Sequence, residues 1–503
     1  MNNQTDSAQC SFCNRQHTTG RPFFSGTTAH ICADCVKSSA NYLMENDRAD
    51  NTKQTGSLPQ SRHYYALELL RSHMPDIAPD CFTTSIRVFP ARMRADLQIA
   101  MNTLMEEGQK RLVGIHGGES YETVKFADLL VRERTPKQIG PLQFEEIDIG
   151  EDQPVRCLHN GLWLMEREGC RYAVWMTRHR DYMGSTGVHI EIAVPSGQKG
   201  VDLTQRYFAL LEKAVNTSAS YRGKVLSLEQ LQRYTGMSTG IAVHKLRPVS
   251  REQIILPKKT INLLEHNIIQ FARQRPKLRE LHMSTKKGVL FYGPPGTGKT
   301  HTIHFLAQHL PSHTTLLVTA EQMGLLSEYF TLARLLQPSV LVIEDVDLIA
   351  RDRTTMNSPC EESLLNKLLN EMDGLKEDAE IFFVLTTNRP ETLEAALASR
   401  PGRIDQAIEF PLPDDDGRKA LIRLYAHKMA LSDSVLDTIA RKTEGVSGAF
   451  IKELMRRAAQ FHLEDSATAT FGSEYIDAAL KEMVFQGGQL NLKLLGGKFE
   501  TDQ

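Results

Sequence analysis

The chain has 503 residues, 59 of them Lys or Arg against 61 Asp or Glu, with 41% hydrophobic and 24% charged residues. That length exceeds what one hydrophobic core holds and predicts several domains; the near-balanced charge argues against a dedicated nucleic-acid binder, although it allows a local basic patch. No apolar run approaches the roughly 18 residues needed to cross a bilayer, and the N-terminus MNNQTDSAQC lacks the basic-then-apolar pattern of a secretory signal, so the expectation is a cytoplasmic protein that makes no use of a membrane and keeps its thiols reduced.

Four of the eight cysteines fall in residues 1–45, as Cys10-x2-Cys13 and, after eighteen residues, Cys32-x2-Cys35. Two such knuckles at this separation fit a four-thiolate Zn²⁺ site in which each knuckle turns both sulfurs toward one tetrahedral ion. So short a segment buries too little apolar surface to fold unaided, and the metal would supply the stability. A redox CxxC is the alternative. His17 and His30 read as exposed, and Cys81, Cys157, Cys170 and Cys360 as packed core thiols.

Residues 46–62, NDRADNTKQTGSLPQSR, are polar and aperiodic and read as a linker. From His63 to about Gly108 the pattern reads as helical, as in ARMRADLQIAMNTLMEEG, where apolar residues recur at three and four. RYAVWMTRH and VHIEIAVP read as strands of a hairpin around DYMGSTG, followed by an amphipathic helix in VDLTQRYFALLEKAV. Residues 63–250 thus read as an α+β middle domain, with no motif that converts into chemistry.

Near Arg251 the texture changes. KTINLLEHNIIQFARQRPKL is helical, and the strand-like runs GVLFY, TTLLVTA, SVLVIE and IFFVLTTN then alternate with helical ones. Such alternation predicts an α/β domain over 251–411, a doubly wound parallel sheet covered on both faces. Residues 412–486 read as a small helical domain and 487–503 as a flexible tail. His301, His304, His309 and His313, on or after the helix THTIHFLAQHL, read as exposed or capping.

Between GVLFY and that helix lies Gly293-Pro294-Pro295-Gly296-Thr297-Gly298-Lys299-Thr300. It fits G-x-x-x-x-G-K-[ST] in the strand-to-helix setting that makes the pattern specific. Glycines let backbone N–H groups wrap phosphate oxygens, and the helix adds its positive end. Lys299 should reach the β- and γ-phosphates of ATP and Thr300 should ligate Mg²⁺. The strand LVIEDVD then brings Glu344 and Asp345. By position Glu344 takes the metal side and reaches Mg²⁺ through water, whereas Asp345 positions or deprotonates the attacking water. Neighbours on a strand point to opposite sides, so the two cannot exchange roles without a local twist, and roles follow position. Asp347 reads as structural.

GPPGTGKT, SVLVIEDVDLIARDR, LLNEMDGL, VLTTNRPETLEAALASRPGRIDQAIEFPLPD and TEGVSGAFIKELMRRAA together resemble the AAA ATPases across residues 251–486. Most such ATPases place Asp before Glu; the order here is similar to that of a mitochondrial AAA member that moves a folded subunit across a membrane. The resemblance implies a sensor role for Asn388, arginine fingers at Arg400 and Arg403 reaching a neighbouring subunit's ATP, and an adenine pocket lined by Gly448 and Ala449. It also implies a homo-oligomer, with a hexameric ring as the family expectation. One departure matters: between TTLLVTA and its helix only MGLLS remains where threading members carry an aromatic pore loop, so Tyr329 and Phe330 read as core. CSFCNRQ and HICADCV resemble the zinc domain of the unfoldase ClpX, which implies capture of an adaptor or protein client. The expectation is an ATP-hydrolysing ring that remodels protein clients recruited through the zinc and middle domains. A nucleic-acid-directed ATPase and a slow nucleotide switch are the alternatives.

Overall fold

The computed structural model describes residues 10, 23–25, 30–33, 35–37, 65–75, 81–106, 109–116, 123–132, 136–180, 186–229, 240–310, 312–347, 362–392, 404–427, 429, 431–465 and 471–486. The expected linker 46–62 and tail 487–503, and also Cys13, His17, Cys360, Arg400 and Arg403, lie outside them. The chain divides into two units, residues 1–63 and 64–503. In the first, β1 (Phe23–Ser25) and β2 (His30–Cys32) pair antiparallel, Phe23 opposite Cys32.

The second unit begins with a six-stranded sheet in the order β3-β10-β9-β8-β4-β5, antiparallel throughout. Its strands are β3 (Phe82–Pro90), β4 (Gln109–His116), β5 (Gln138–Gly140), β8 (Gly161–Arg167), β9 (Cys170–Arg180) and β10 (Thr186–Pro195). β6 (Phe144–Ile147) and β7 (Val155–Leu158) form a separate hairpin. Side chains alternate cleanly, as a two-residue period demands. Trp163, Met165, Tyr172, Val174 and Met176 pack with the helices Arg94–Glu106 and Gln198–Thr217. Leu162, Leu164, Ala173 and Trp175 pack with Ala66–His73 and Phe126–Leu129.

The hairpin and the amphipathic helix form as read. The helical reading of 63–108 does not hold throughout: β3, FTTSIRVFP, separates two helices, because its β-branched residues fit a pleated surface better than a helix. The reading of scattered cysteines as core holds for Cys157, whose thiol burial pushes up to about 11, but Cys81 is exposed and Cys170 only partly covered.

A seven-stranded sheet follows, in the order β12-β11-β14-β15-β16-β13-β17. Its strands are β11 (Val225–Leu228), β12 (Ile241–His244), β13 (Lys287–Tyr292), β14 (Thr314–Val318), β15 (Ser339–Ile343), β16 (Ile381–Thr387) and β17 (Gln406–Glu409). All neighbours are parallel except β12, which runs antiparallel on β11.

The expected domain boundary at 250/251 is therefore corrected. β11 and β12 extend the nucleotide sheet, and runs as short as VLSL and IAVH carry too little periodicity to reveal it. Leu226 and Leu228 share one apolar core with both the first sheet and Leu316, Leu341 and Leu385. Arg222 ties this joint. Its guanidinium donates to the Thr217 and Asn216 carbonyls at the end of one helix and to Leu335 and Gln337 at the end of Leu326–Leu335. Both helix ends present unsatisfied carbonyls and the negative end of a dipole, and one cation serves both.

The helix Lys258–Leu264 runs through a π-turn into Phe271–Glu280. Between β14 and the helix Leu326–Leu335 lies only the 3-10 turn Ala320–Leu325, and Tyr329 and Phe330 are buried. The Tyr329 hydroxyl accepts from the Leu228 N–H and donates to the Leu317 carbonyl, fixing the helix to the sheet. Four further helices, Asp415–Ala426, Asp433–Lys442, Gly448–Glu464 and Ser473–Leu480, enclose a core of their own. Asp414, Ser432 and Ser447 cap the first three by accepting from N–H groups three residues on.

Candidate nucleotide and metal sites

The phosphate loop leaves β13 at Gly293, whose φ of +147° belongs to glycine; a Cβ there would meet the Phe410 carbonyl oxygen at 2.2 Å. Gly296 has φ +76°, and a Cβ would press on Ala449 and Ser447 at 2.8 Å. The loop thus packs on the start of Gly448–Glu464, and the Ala449 N–H donates to the Gly296 carbonyl at 3.1 Å. The helix Lys299–His309 starts at the end of the loop, so its free N–H groups and positive dipole end open on the same space.

Lys299 is only 8% exposed. Its Nζ donates to the Gly293 carbonyl at 2.8 Å, the Pro294 carbonyl at 3.0 Å and Asn388 Oδ1 at 2.8 Å. Burial lowers its pKa to about 8, opposed by the charges of Asp345 and Asp347. Thr300 Oγ1 donates to Glu344 Oε1 at 2.8 Å, and Asn388 Nδ2 donates to Asp345 Oδ1 at 3.0 Å. Asp347 is buried and accepts from Thr387 Oγ1 at 3.0 Å and the Asn388 N–H at 3.3 Å, a structural role as read from sequence.

The acid pair lies in a local turn just past its strand. β15 ends at Ile343, and Asp345 has φ +51°, a left-handed conformation that Asp tolerates better than most residues. The turn sends Glu344 to Thr300 and Asp345 to Asn388, so adjacent residues serve one cleft.

The cleft has a volume of ≈ 810 Å³ and is walled by the loop, by Ile254 and Ile255, and by Leu421, Tyr425, Gly448 and Ala449 of the helical domain. The apolar contributors Ile254, Ile255, Leu421 and Tyr425 were not identified from sequence, where they look like any other core residue. The histidines separate. His301 and His304 line the cleft; burial, His304 and Lys452 lower the pKa of His301 against the opposing Gln253 carbonyl. His309 stacks on Phe305 at 4.0 Å. His313 is buried against Arg275 and Phe382 rather than exposed.

Among the described residues, one group of three or more His, Cys, Asp or Glu side chains has the spacing to hold a metal: Cys10, Cys32 and Cys35, with sulfurs within 4.8 Å of one another. The Cys10 and Cys35 sulfurs are 3.9 Å apart, close to the edge of roughly 3.8 Å that a tetrahedron with Zn–S bonds of about 2.3 Å requires. The Cys32 N–H also donates to Cys10 Sγ at 3.4 Å, which favours a thiolate there. The donor set fits Zn²⁺.

The family model of ATPases associated with various cellular activities (AAA) matches residues 289–412. The proteasome-activating nucleotidase of Pyrococcus abyssi is 32% identical over 293 residues, covering 56% of this chain and 69% of the relative. The chain belongs to the AAA ATPase family. Its loop, acids and cleft fit ATP with Mg²⁺.

This AAA chain is also 32% identical over 259 residues to the proteasome-activating nucleotidase of Methanothermobacter thermautotrophicus, covering 49% of the chain and 62% of the relative. With the cell division cycle protein 48 homolog of Archaeoglobus fulgidus it shares 34% identity over 225 residues, 43% of the chain and 30% of the relative. The model of the ClpX C4-type zinc finger matches residues 8–45. No helix among the described residues is long and apolar enough to cross a membrane.

Proposed function

We propose that this AAA ATPase is a ring-forming remodeller that hydrolyses ATP to act on protein clients recruited through its zinc finger and middle domain. The observation that carries the reading is the linked set Lys299–Asn388–Asp345 beside Thr300–Glu344, gathered at the mouth of one phosphate loop. On triphosphate binding, Lys299 exchanges its carbonyl partners for β- and γ-phosphate oxygens, while backbone N–H groups of 293–300 hold the rest. Thr300 and Glu344 would hold Mg²⁺, which supplies neutralisation of the phosphate charge. Asp345, oriented by Asn388, takes a proton from the attacking water as its oxygen bonds the γ-phosphorus and the bond to ADP breaks. Arg400 and Arg403 would be delivered by a neighbouring subunit, a contribution worth roughly 10³–10⁵ in rate; this is why a ring, hexameric by family expectation, is part of the proposal.

The names of the relatives support action on proteins, and the ClpX-type finger supports recruitment of a client or adaptor. The bare 3-10 turn at Ala320–Leu325 offers no aromatic loop to grip a threaded chain, which favours pulling or twisting a client from the N-terminal side. The test mixes two inactive variants, Lys299→Ala, which loses nucleotide binding, and Arg403→Ala, which binds but does not hydrolyse. Mixed rings should recover part of the turnover. Mixed assemblies without recovery at any ratio would overturn delivery between subunits.

A further inference from the structure

We propose that Thr386 is a positioning residue for hydrolysis, holding the acid pair in the turn that aims both carboxylates into the cleft. The inference rests on Asp345 being the water-activating acid. On a regular strand Glu344 and Asp345 would face opposite ways, so the Glu-Asp order works only while Asp345 stays at φ +51°. That conformation is disfavoured for any residue with a Cβ and persists only where its surroundings hold it.

Thr386, at the penultimate position of β16 and 3% exposed, supplies that hold at two points. Its Oγ1 accepts from the Asp345 N–H at 3.0 Å. Its backbone carbonyl accepts from the Val346 N–H at 2.9 Å. The two bonds bracket the left-handed residue, and the carbonyl bond survives any substitution, whereas the hydroxyl bond depends on the side chain. The next residues, Thr387 and Asn388, fix Asp347 and the Asp345 carboxylate in turn. Thr386 is thus the one member of this run that acts on the backbone of the acid pair through its side chain.

Two variants separate positioning from packing. Thr386→Val keeps the shape and β-branching but removes the acceptor and strands the Asp345 N–H. Thr386→Ser keeps the acceptor and removes the methyl. Positioning predicts that Val lowers kcat about tenfold, the worth of one buried hydrogen bond, with ATP affinity unchanged, and that Ser retains a wild-type kcat. The opposite ranking, equal loss in both, or loss of affinity in place of kcat would overturn the proposal. A wild-type protein that binds ATP without hydrolysing it would instead remove the reading of Asp345 on which this one depends.

Discussion

Replacing Asp345 by Asn isolates the chemistry from the architecture. The Asn388 Nδ2 bond to Asp345 Oδ1, 3.0 Å long, can be kept by the amide oxygen of Asn. The left-handed backbone at φ +51° is also retained, because Asn shares with Asp an unusual tolerance of that region. The fold should therefore change by less than about 0.5 kcal/mol. ATP should bind as tightly or more tightly, since one negative charge leaves the phosphate site. What disappears is a proton acceptor, and a positioned general base contributes roughly 10²–10⁴ in rate, or ~2.7–5.4 kcal/mol of barrier. Single-turnover hydrolysis of radiolabelled ATP reads the chemical step, and equilibrium binding of a fluorescent analogue reads affinity. A single-turnover rate within about threefold of wild type, outside the range expected for loss of a base, would refute the assignment of Asp345. Weakened binding would mean that the carboxylate is structural.

Affinity for ATP should depend on pH through Lys299, whose pKa burial lowers to about 8 in the free protein. Below that value the ammonium is present and affinity is flat; as pH rises through it the free protein loses the charge, and Kd should weaken by about tenfold at one pH unit above. A flat Kd from pH 7 to 9.5 would contradict this. At the zinc site, Cys32→Ser should abolish the one equivalent of Zn²⁺ per chain measured by atomic emission and expose residues 1–45 to protease, since so small a segment lacks an adequate core of its own. Retention of a full equivalent would place the metal elsewhere.

The phosphate loop was legible because its glycines, lysine and threonine are demanded by local backbone geometry, independent of the rest of the chain. The acids were legible because they sit at the end of a strongly apolar strand, whereas the role of Asn388 came from the family resemblance, since an Asn before Arg-Pro also suits a plain turn. Neither the turn at Asp345 nor its means, the Thr386 hydroxyl, was read from sequence, since a threonine in a strand usually signals no more than β-propensity. The apolar wall of the cleft was missed because Ile254, Leu421 and Tyr425 converge from distant segments. The joint with the first sheet was missed for a related reason. β11 and β12 are four residues each, and their membership of the nucleotide sheet is decided by pairing with β14 and by Arg222, both long-range. Conversely, β3 was misread as helix because its few apolar residues, Phe82, Ile86, Val88 and Phe89, are spaced so that they suit either period.

The most direct test of the central claim is ATP turnover by the purified, zinc-loaded protein, measured with and without Mg²⁺ alongside its mass in solution. Magnesium-dependent turnover by a self-associated species, abolished by Lys299→Ala, is the predicted result. A monomer without magnesium-dependent turnover would contradict it.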